Sequence, residues 1–221
     1  RLTQDEFNSE ALLNVHNGDI AWADIDNDGD LDLSLSGENV IADGGLAAIT
    51  EFYANDPTGT LTLEQGIDLG SDGVTGMSNQ VKRGALSWSD FDGDGNLDLA
   101  LSGRDAALNA VLKIFRNRPA GTLIEDGSFF LNRFQRVDGG AHWIDYDNDG
   151  DADLAVVGRT VLSNHQAFVF ENRDGELSGV SVEEDIEGLS GGPTVWGDYD
   201  GDGRADLLIT GVDADGQRQS I

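Results

Sequence analysis

Regularly spaced aspartates are the residues of this 221-residue chain with the clearest chemical potential. The nine-residue pattern Asp-x-Asp-x-Asp-Gly-x-x-Asp occurs four times, starting at Asp24, Asp90, Asp145 and Asp198. Carboxylates at positions one, three and five converge on one point when the backbone curls, and Ca²⁺ takes about six to eight oxygen ligands. Glycine at position six permits the sharp turn because it has no Cβ. The pattern therefore predicts four calcium loops.

Five positions of each loop are expected to supply ligands. Positions one, three, five and nine carry aspartate in every copy. Position seven includes an arginine, so we expect it to bind through its backbone carbonyl. The expected ligands of the first two loops are Asp24, Asp26, Asp28, Asp30, Asp32, Asp90, Asp92, Asp94, Asn96 and Asp98. Those of the last two are Asp145, Asp147, Asp149, Asp151, Asp153, Asp198, Asp200, Asp202, Arg204 and Asp206.

The loops differ from the calcium loop of an EF-hand. An EF-hand requires glutamate at position twelve, whereas this position is Leu35, Leu101, Val156 or Ile209 here. Without a cation, the clustered carboxylates of each loop would repel one another by roughly 1–4 kcal/mol per pair. We therefore expect about four Ca²⁺ ions with a structural role, each fixing one hairpin.

Short apolar runs around the loops predict β-strands, since they are bounded by Gly, Asn and Asp and show no helical period. In each unit the first strand should end at a tryptophan (Trp22, Trp88, Trp143 or Trp196) and the second should begin at the last loop aspartate. The second strands are expected through Leu33–Gly37, Leu99–Gly103, Leu154–Gly158 and Leu207–Gly211. Third strands are expected at Phe52–Asn55, Ile114–Asn117 and Phe168–Asn172, and fourth strands at Leu61–Leu63 and Phe129–Leu131.

Repeated four-stranded units of this size are typical of propeller blades. We predict an all-β fold, a β-propeller built from four-stranded antiparallel blades with about four repeats. The chain forms one propeller region, 1–221, with units centred on 22–32, 88–98, 143–153 and 196–206. The four tryptophans are expected to pack between blades, and the alternative is a stacking platform for sugar rings.

Both ends of the chain are expected to lie within a blade. Leu2–Phe7 is placed where a fourth strand of a preceding unit belongs, and the third strand of the last unit would begin at Ile221. A longer propeller, a small ring closed by its terminal strands, and copies joined head to tail are all compatible with this phase. The first unit is longer, and its additional stretches, Glu38–Ala48 and Gly70–Ala85, are interpreted as surface loops.

Composition excludes several classes of protein. The formal net charge of −29 argues against nucleic-acid binding, which requires a basic surface. The chain has no cysteine, which excludes disulfides and thiolate metal sites. No stretch approaches the roughly 18 apolar residues of a membrane span.

The tryptophan-led loops resemble the FG-GAP/VCBS repeat family, which includes the calcium-binding blades of integrin α-subunit propellers and many bacterial secreted and surface proteins. The bacterial form Trp-x-Asp-Tyr-Asp-x-Asp-Gly-x-x-Asp-Leu is similar to Trp143–Leu154 and Trp196–Leu207. The resemblance implies a calcium-binding propeller. The chain departs from the family pattern in the number of repeats. Such propellers usually have seven or eight blades, whereas four loops are present here.

Two classes of function remain open. The leading hypothesis is a non-catalytic, calcium-binding extracellular module for adhesion, carbohydrate binding or self-assembly. The alternative is the propeller domain of a secreted polysaccharide-degrading enzyme. Catalytic candidates are few, and we interpret His142 as a packed strand residue. Weak calcium sites would stay empty in the cytosol, so we expect a bacterial cell surface or exterior. The remaining candidates are His16, His165, Lys82 and Lys113, and the arginines considered for binding acidic sugars are Arg83, Arg104 and Arg159.

Overall fold

A computed structural model describes residues 12–40, 44–64, 80–127, 134–160, 165–180, 190–212 and 217–220. In these ranges every regular element is a β-strand, and no helix long and apolar enough to cross a membrane is found. The first eight strands are β1 (His16–Ala23), β2 (Asp32–Val40), β3 (Leu46–Asn55), β4 (Leu61–Leu63), β5 (Leu86–Ser89), β6 (Asp98–Arg104), β7 (Ala110–Asn117) and β8 (Leu123–Glu125). The others are β9 (Phe134–Ile144), β10 (Asp153–Thr160), β11 (His165–Arg173), β12 (Glu176–Val180), β13 (Ser190–Gly197), β14 (Asp206–Val212) and β15 (Arg218–Ser220).

The strands form four antiparallel sheets in chain order, which are the blades of a β-propeller. Three blades have four strands, β1–β4, β5–β8 and β9–β12, and the described part of the fourth has β13–β15. The first strands of successive blades contact one another, β1 with β5, β5 with β9 and β9 with β13. They therefore form the inner edge of the propeller. This confirms the predicted fold class.

Apolar side chains between neighbouring blades form the core. Ala23 and Ile25 of the first blade pack with Leu99 and Phe115 of the second. The same arrangement recurs between the second and third blades, where Phe91 stacks on Trp143 with ring centroids 4.9 Å apart. A single blade cannot bury both of its faces, so each relies on its neighbours.

Two of the four tryptophans confirm the predicted packing between blades. The indole N–H of Trp88 donates to Ser34 Oγ of the preceding blade at 3.0 Å, and that of Trp143 donates to Ser87 O at 3.1 Å. Trp22, on the first blade, is instead 54% exposed. The tryptophan position therefore points toward the preceding blade.

The predicted strands agree with the observed ones to within a few residues at most ends, with one correction. The fourth strand of the second blade is Leu123–Glu125, whereas Phe129–Leu131 lies outside the described residues. Leu2–Phe7 and Ile221 also lie outside them. In the fourth blade the third strand, β15, includes residues 218–220, directly before the start that was predicted for it at Ile221.

The interpretation of Glu38–Ala48 as a surface loop was wrong. Glu38 pairs with Ala48 and Val40 with Leu46, so the β2–β3 ladder extends through most of this stretch. Of Gly70–Ala85, residues 70–79 are not described, but Val81 and Ala85 are buried at 0% and 5% exposure. The small and polar side chains of this stretch suggested a solvated backbone. Its N–H and C=O groups are instead hydrogen-bonded in the sheet.

Candidate metal centres

The four aspartate loops form the tips of the hairpins between the first and second strands of the blades. Gly29, Gly95, Gly150 and Gly203, at position six, all have positive φ, from 85° to 96°. An added Cβ would meet no atom within 4 Å at these positions. Backbone conformation, rather than lack of space, therefore requires glycine there.

Each loop brings three carboxylates together. Ligand oxygens of the three residues lie within 4.8 Å of one another in every loop. In the first, third and fourth loops the residues occupy positions one, three and nine, and in the second they occupy positions one, three and five. The groups are Asp24, Asp26 and Asp32; Asp90, Asp92 and Asp94; Asp145, Asp147 and Asp153; and Asp198, Asp200 and Asp206.

The second loop provides the most direct test of whether these residues suit a cation. Buried oxygens of two of its three clustered aspartates, Asp90 Oδ1 and Asp92 Oδ1, have no hydrogen-bond partner. A buried acceptor without a donor is unfavourable, whereas a hard cation is bound by oxygens of this kind. The donor set therefore fits Ca²⁺. For all the residues predicted as ligands, at positions one, three, five, seven and nine, ligation remains a prediction.

Backbone amides already bend the loops into shape. Asp24 Oδ1 accepts from the amide of Asp28 at 3.0 Å, and Asp24 Oδ2 accepts from Gly29 at 3.1 Å. Asp198 accepts from Asp202 and Gly203 in the same way, at 3.1 and 3.0 Å. The first aspartate thus holds the turn as well as facing the other carboxylates.

The ninth aspartate has a structural role that the sequence analysis missed. Asp32 accepts from the amides of Ile25 at 2.9 Å and Asn55 at 2.8 Å, so it joins its loop to the end of the third strand. Asp153 accepts from Tyr146 and Asn172 at 2.9 and 2.7 Å in the third blade. This position therefore fixes the loop on its own blade.

The asparagine that ends the third strand fastens the loop to the preceding blade. Asn117 Nδ2 donates to the carbonyl of Ile25, one blade earlier, at 2.6 Å and to that of Leu97 at 3.1 Å. Asn172 donates to Phe91 O at 2.6 Å in the same arrangement. The sequence showed these residues only as strand ends. Their repetition after each apolar run was the available signal.

Burial changes the acidity of the loop carboxyls. Desolvation, followed by repulsion from Asp92 and Asp94, raises the pKa of Asp98 to about 6. Burial likewise raises the pKa of Asp153, and burial and the neighbouring Asp32 raise the pKa of Asp26. Negative charge is therefore costly in these loops without a compensating cation.

Protein cations compensate part of this charge in the second loop. Arg116 Nη1 donates to Asp92 Oδ2 at 2.5 Å, and Arg118 contacts both Asp92 and, at 3.1 Å, Asp94. The Asp92 side chain is 3% exposed as a result of its surroundings. Because Arg116 occupies Oδ2, Asp92 Oδ1 stays available to the loop.

The catalytic candidates do not form one constellation. Glu38 is contacted by His16 at 3.7 Å, by Lys82 at 2.9 Å and by Arg83 at 3.9 Å. Burial opposes ionisation of Glu38, but bonds from Asn17 and Lys82 keep its pKa below the usual value. These residues lie at the end of β2, away from the aspartate loops.

The remaining candidates lie elsewhere. Lys113 pairs with Glu125 at 2.8 Å on the outer strands of the second blade. Arg104 is buried, and the Arg159 Nε is buried without a hydrogen-bond partner. His142 is half-buried within β9, and the side chain of His165 lies outside the described part of the chain.

Comparison with known families identifies the repeat. Residues 90–156 and 145–209 match a family model described as an FG-GAP-like repeat. No curated protein matches the chain. The matched residues cover more than half of the sequence and include the second, third and fourth aspartate loops.

Proposed function

Since the chain belongs to the FG-GAP-like repeat family, we propose that it is a calcium-stabilised, non-catalytic binding or structural module. The observation that carries this proposal is the pair of unpartnered buried oxygens of Asp90 and Asp92 within one carboxylate cluster. Calcium in the four loops would neutralise carboxylates that lie within 4.8 Å of one another. Each ion would hold a hairpin tip whose aspartates already bind its backbone amides.

The proposed location is the cell exterior or surface. Calcium modules with Kd on the order of 10⁻⁴–10⁻³ M are loaded outside cells. The net charge of −29 keeps the chain soluble there and is reduced by bound calcium.

Calcium titration tests the proposal. In millimolar calcium the protein should bind about four ions by calorimetry and melt at a higher temperature than in EDTA. At about ten times Kd each site contributes roughly 1.4 kcal/mol, so four sites are a large part of a typical 5–15 kcal/mol stability. Asp→Asn at Asp24, Asp90, Asp145 or Asp198 should remove one ion each. An unchanged melting temperature in EDTA would reject the proposal.

We also propose that copies of the chain associate head to tail. On the outward face of the first blade, Ile20 and Trp22 are 61% and 54% exposed. On the outward face of the fourth blade, Val195 and Leu208 are 60% and 52% exposed. Equivalent positions between blades are covered by the neighbouring sheet, so the two end faces have the character of the two halves of a blade interface.

Sedimentation of the calcium-loaded protein tests this association. Wild type should form oligomers at micromolar concentration, and Ile20→Lys or Val195→Lys should shift it to monomer. Ile124→Lys is the matched control, because Ile124 is 54% exposed on the outer strand of the second blade. Wild type that stays monomeric, or a control that dissociates equally, would contradict the proposal.

A further inference from the structure

The arginine of the second blade has no counterpart in the first, although its surroundings are repeated there. Arg116 follows Phe115 on β7, and Ala54 follows Tyr53 on β3, with Phe115 and Tyr53 paired to Leu99 and Leu33 in the same register. The first blade therefore carries alanine where the second carries a guanidinium.

The guanidinium of Arg116 is bound from several sides. Its Nη1 donates to Asp92 Oδ2 at 2.5 Å, its Nε to Asp126 Oδ2 at 2.8 Å and its Nη2 to the carbonyl of Gly175 at 2.7 Å. The guanidinium carbon lies 4.6 Å from the centre of the Phe91 ring. Two carboxylates, one peptide carbonyl and an apolar surface thus form a complete guanidinium site.

Both carboxylates are present at the equivalent positions of the first blade. Asp26 occupies the loop position of Asp92. Glu64 corresponds to Asp126, because its amide donates to Phe52 O at 2.8 Å as the amide of Asp126 donates to Ile114 O at 2.8 Å. The backbone geometry that positions the two acids is therefore the same in the two blades.

The glycine beside the loop acid and the apolar residue under the guanidinium also have equivalents in the first blade. Gly121 lies against Asp26, where an added Cβ would be 3.4 Å from the Asp26 Cβ, as Gly175 lies against Asp92. Ile25 replaces Phe91. With alanine at residue 54, a cavity of about 250 Å³ remains, lined by Ile25, Asp26, Ala54, Glu64 and Gly121 among others.

We propose that this cavity binds the guanidinium group of a ligand, either a small guanidino compound or an arginine side chain of another polypeptide. Asp26 and Glu64 accept its N–H groups, and Ile25 supports the planar face. The arrangement selects guanidinium over an ammonium ion, because its donors form a planar fork matched to two separated carboxylates. The ligand takes the place that the protein fills with its own Arg116 one blade later.

Amide NMR shifts of calcium-loaded wild type, titrated with ethylguanidinium at constant ionic strength, test the proposal. The amides of Ala54, Glu64 and Gly121 should shift and saturate, while those of Arg116, Asp126 and Gly175 serve as internal controls and stay in place. Ethylammonium, with the same charge, should bind at least about tenfold more weakly. Shifts that do not saturate, or that spread equally over all four aspartate loops, overturn the proposal.

Variants locate the binding. Ala54→Arg should abolish the shifts, because its guanidinium fills the cavity. Ala54→Leu should abolish them too, because it removes the space without adding a guanidinium. Glu64→Gln, which removes the charge of an exposed side chain at nearly constant size, should weaken binding about tenfold. Equal binding by Ala54→Arg and wild type overturns the assignment.

A blocked tripeptide, acetyl-Gly-Arg-Gly-amide, distinguishes the two sources of the ligand. Saturable shifts with the peptide at the affinity of ethylguanidinium or better assign the site to an arginine of a polypeptide. Binding of ethylguanidinium alone assigns it to a small guanidino compound. Absence of both overturns the proposal.

Discussion

The first and second blades share one backbone arrangement and differ in what contacts an equivalent pair of acidic side chains. In the second blade Arg116 joins Asp92 and Asp126, and the Asp92 side chain is 3% exposed. In the first blade Ala54 leaves Asp26 exposed beside a cavity. The side chain after the buried aromatic residue of the third strand therefore distinguishes a blade that supplies a guanidinium to its own loop from one that leaves a cavity there, which we propose to be filled by a ligand.

Removing the internal cation should have the largest effect. Arg116→Ala leaves Asp126 without its guanidinium and Asp92 with that of Arg118 alone, and should lower the free energy of unfolding by about 3 kcal/mol. Ala54→Arg, the reciprocal change, should raise the melting temperature. Urea denaturation of both variants measures the comparison. A change of stability in the same direction for both variants would contradict the prediction.

The link between blades should be the next most sensitive contact. Asn117→Ala loses the bonds from Nδ2 to Ile25 O and Leu97 O and should cost about 2 kcal/mol. Asn55, its counterpart in the first blade, is only half-buried, so Asn55→Ala should cost less than about 1 kcal/mol. Equal costs in chemical denaturation would show that the asparagine acts within its own blade.

Acidity should also affect the second blade. In EDTA, the pKa of Asp98 is about 6 in the folded state and near 3.8 in the unfolded state. Between these two pH values the folded state therefore holds a proton that the unfolded state has lost. This contribution to stability is present below pH 4 and lost as pH rises through 6. Asp98→Asn should flatten that part of the profile of melting temperature against pH. A profile that Asp98→Asn leaves unchanged would contradict this prediction.

The smallest difference should come from two glycines that lie against the loops. Gly121 and Gly175 have φ of 80° and 79°, so alanine is strained at both, by about 1 kcal/mol. An added Cβ at Gly175 would lie 2.9 Å from the Asp92 Cβ, against 3.4 Å for Gly121 and Asp26. Gly175→Ala should therefore destabilise more than Gly121→Ala. Thermal melts of the pair decide this, and the reverse order would contradict it.

Much of the scaffold follows from local sequence. The second strands begin at Asp32, Asp98, Asp153 and Asp206, where the sequence placed them, because an apolar run after a glycine-containing turn has few alternatives. The approach of positions one and three was predictable for the same reason, since their spacing of two along a tight turn is a local property. Position five, predicted to join them, does so in the second loop, whereas position nine is the third member in the other loops. The Glu38–Ala48 hairpin was missed because small and polar residues were weighed above the pairing that the sheet offers them.

The sequence by itself determined that aspartates would gather at four hairpin tips, because each loop spans nine residues and its geometry is set within that span. Only the tertiary structure decided what joins the tips to other blades. Ile25 and Asn117, like Ala54 and Glu64 or Arg116 and Asp126, become neighbours only through ladder register and blade packing. Contacts between residues far apart in the chain depend on how sheets stack, and no local pattern contains that information.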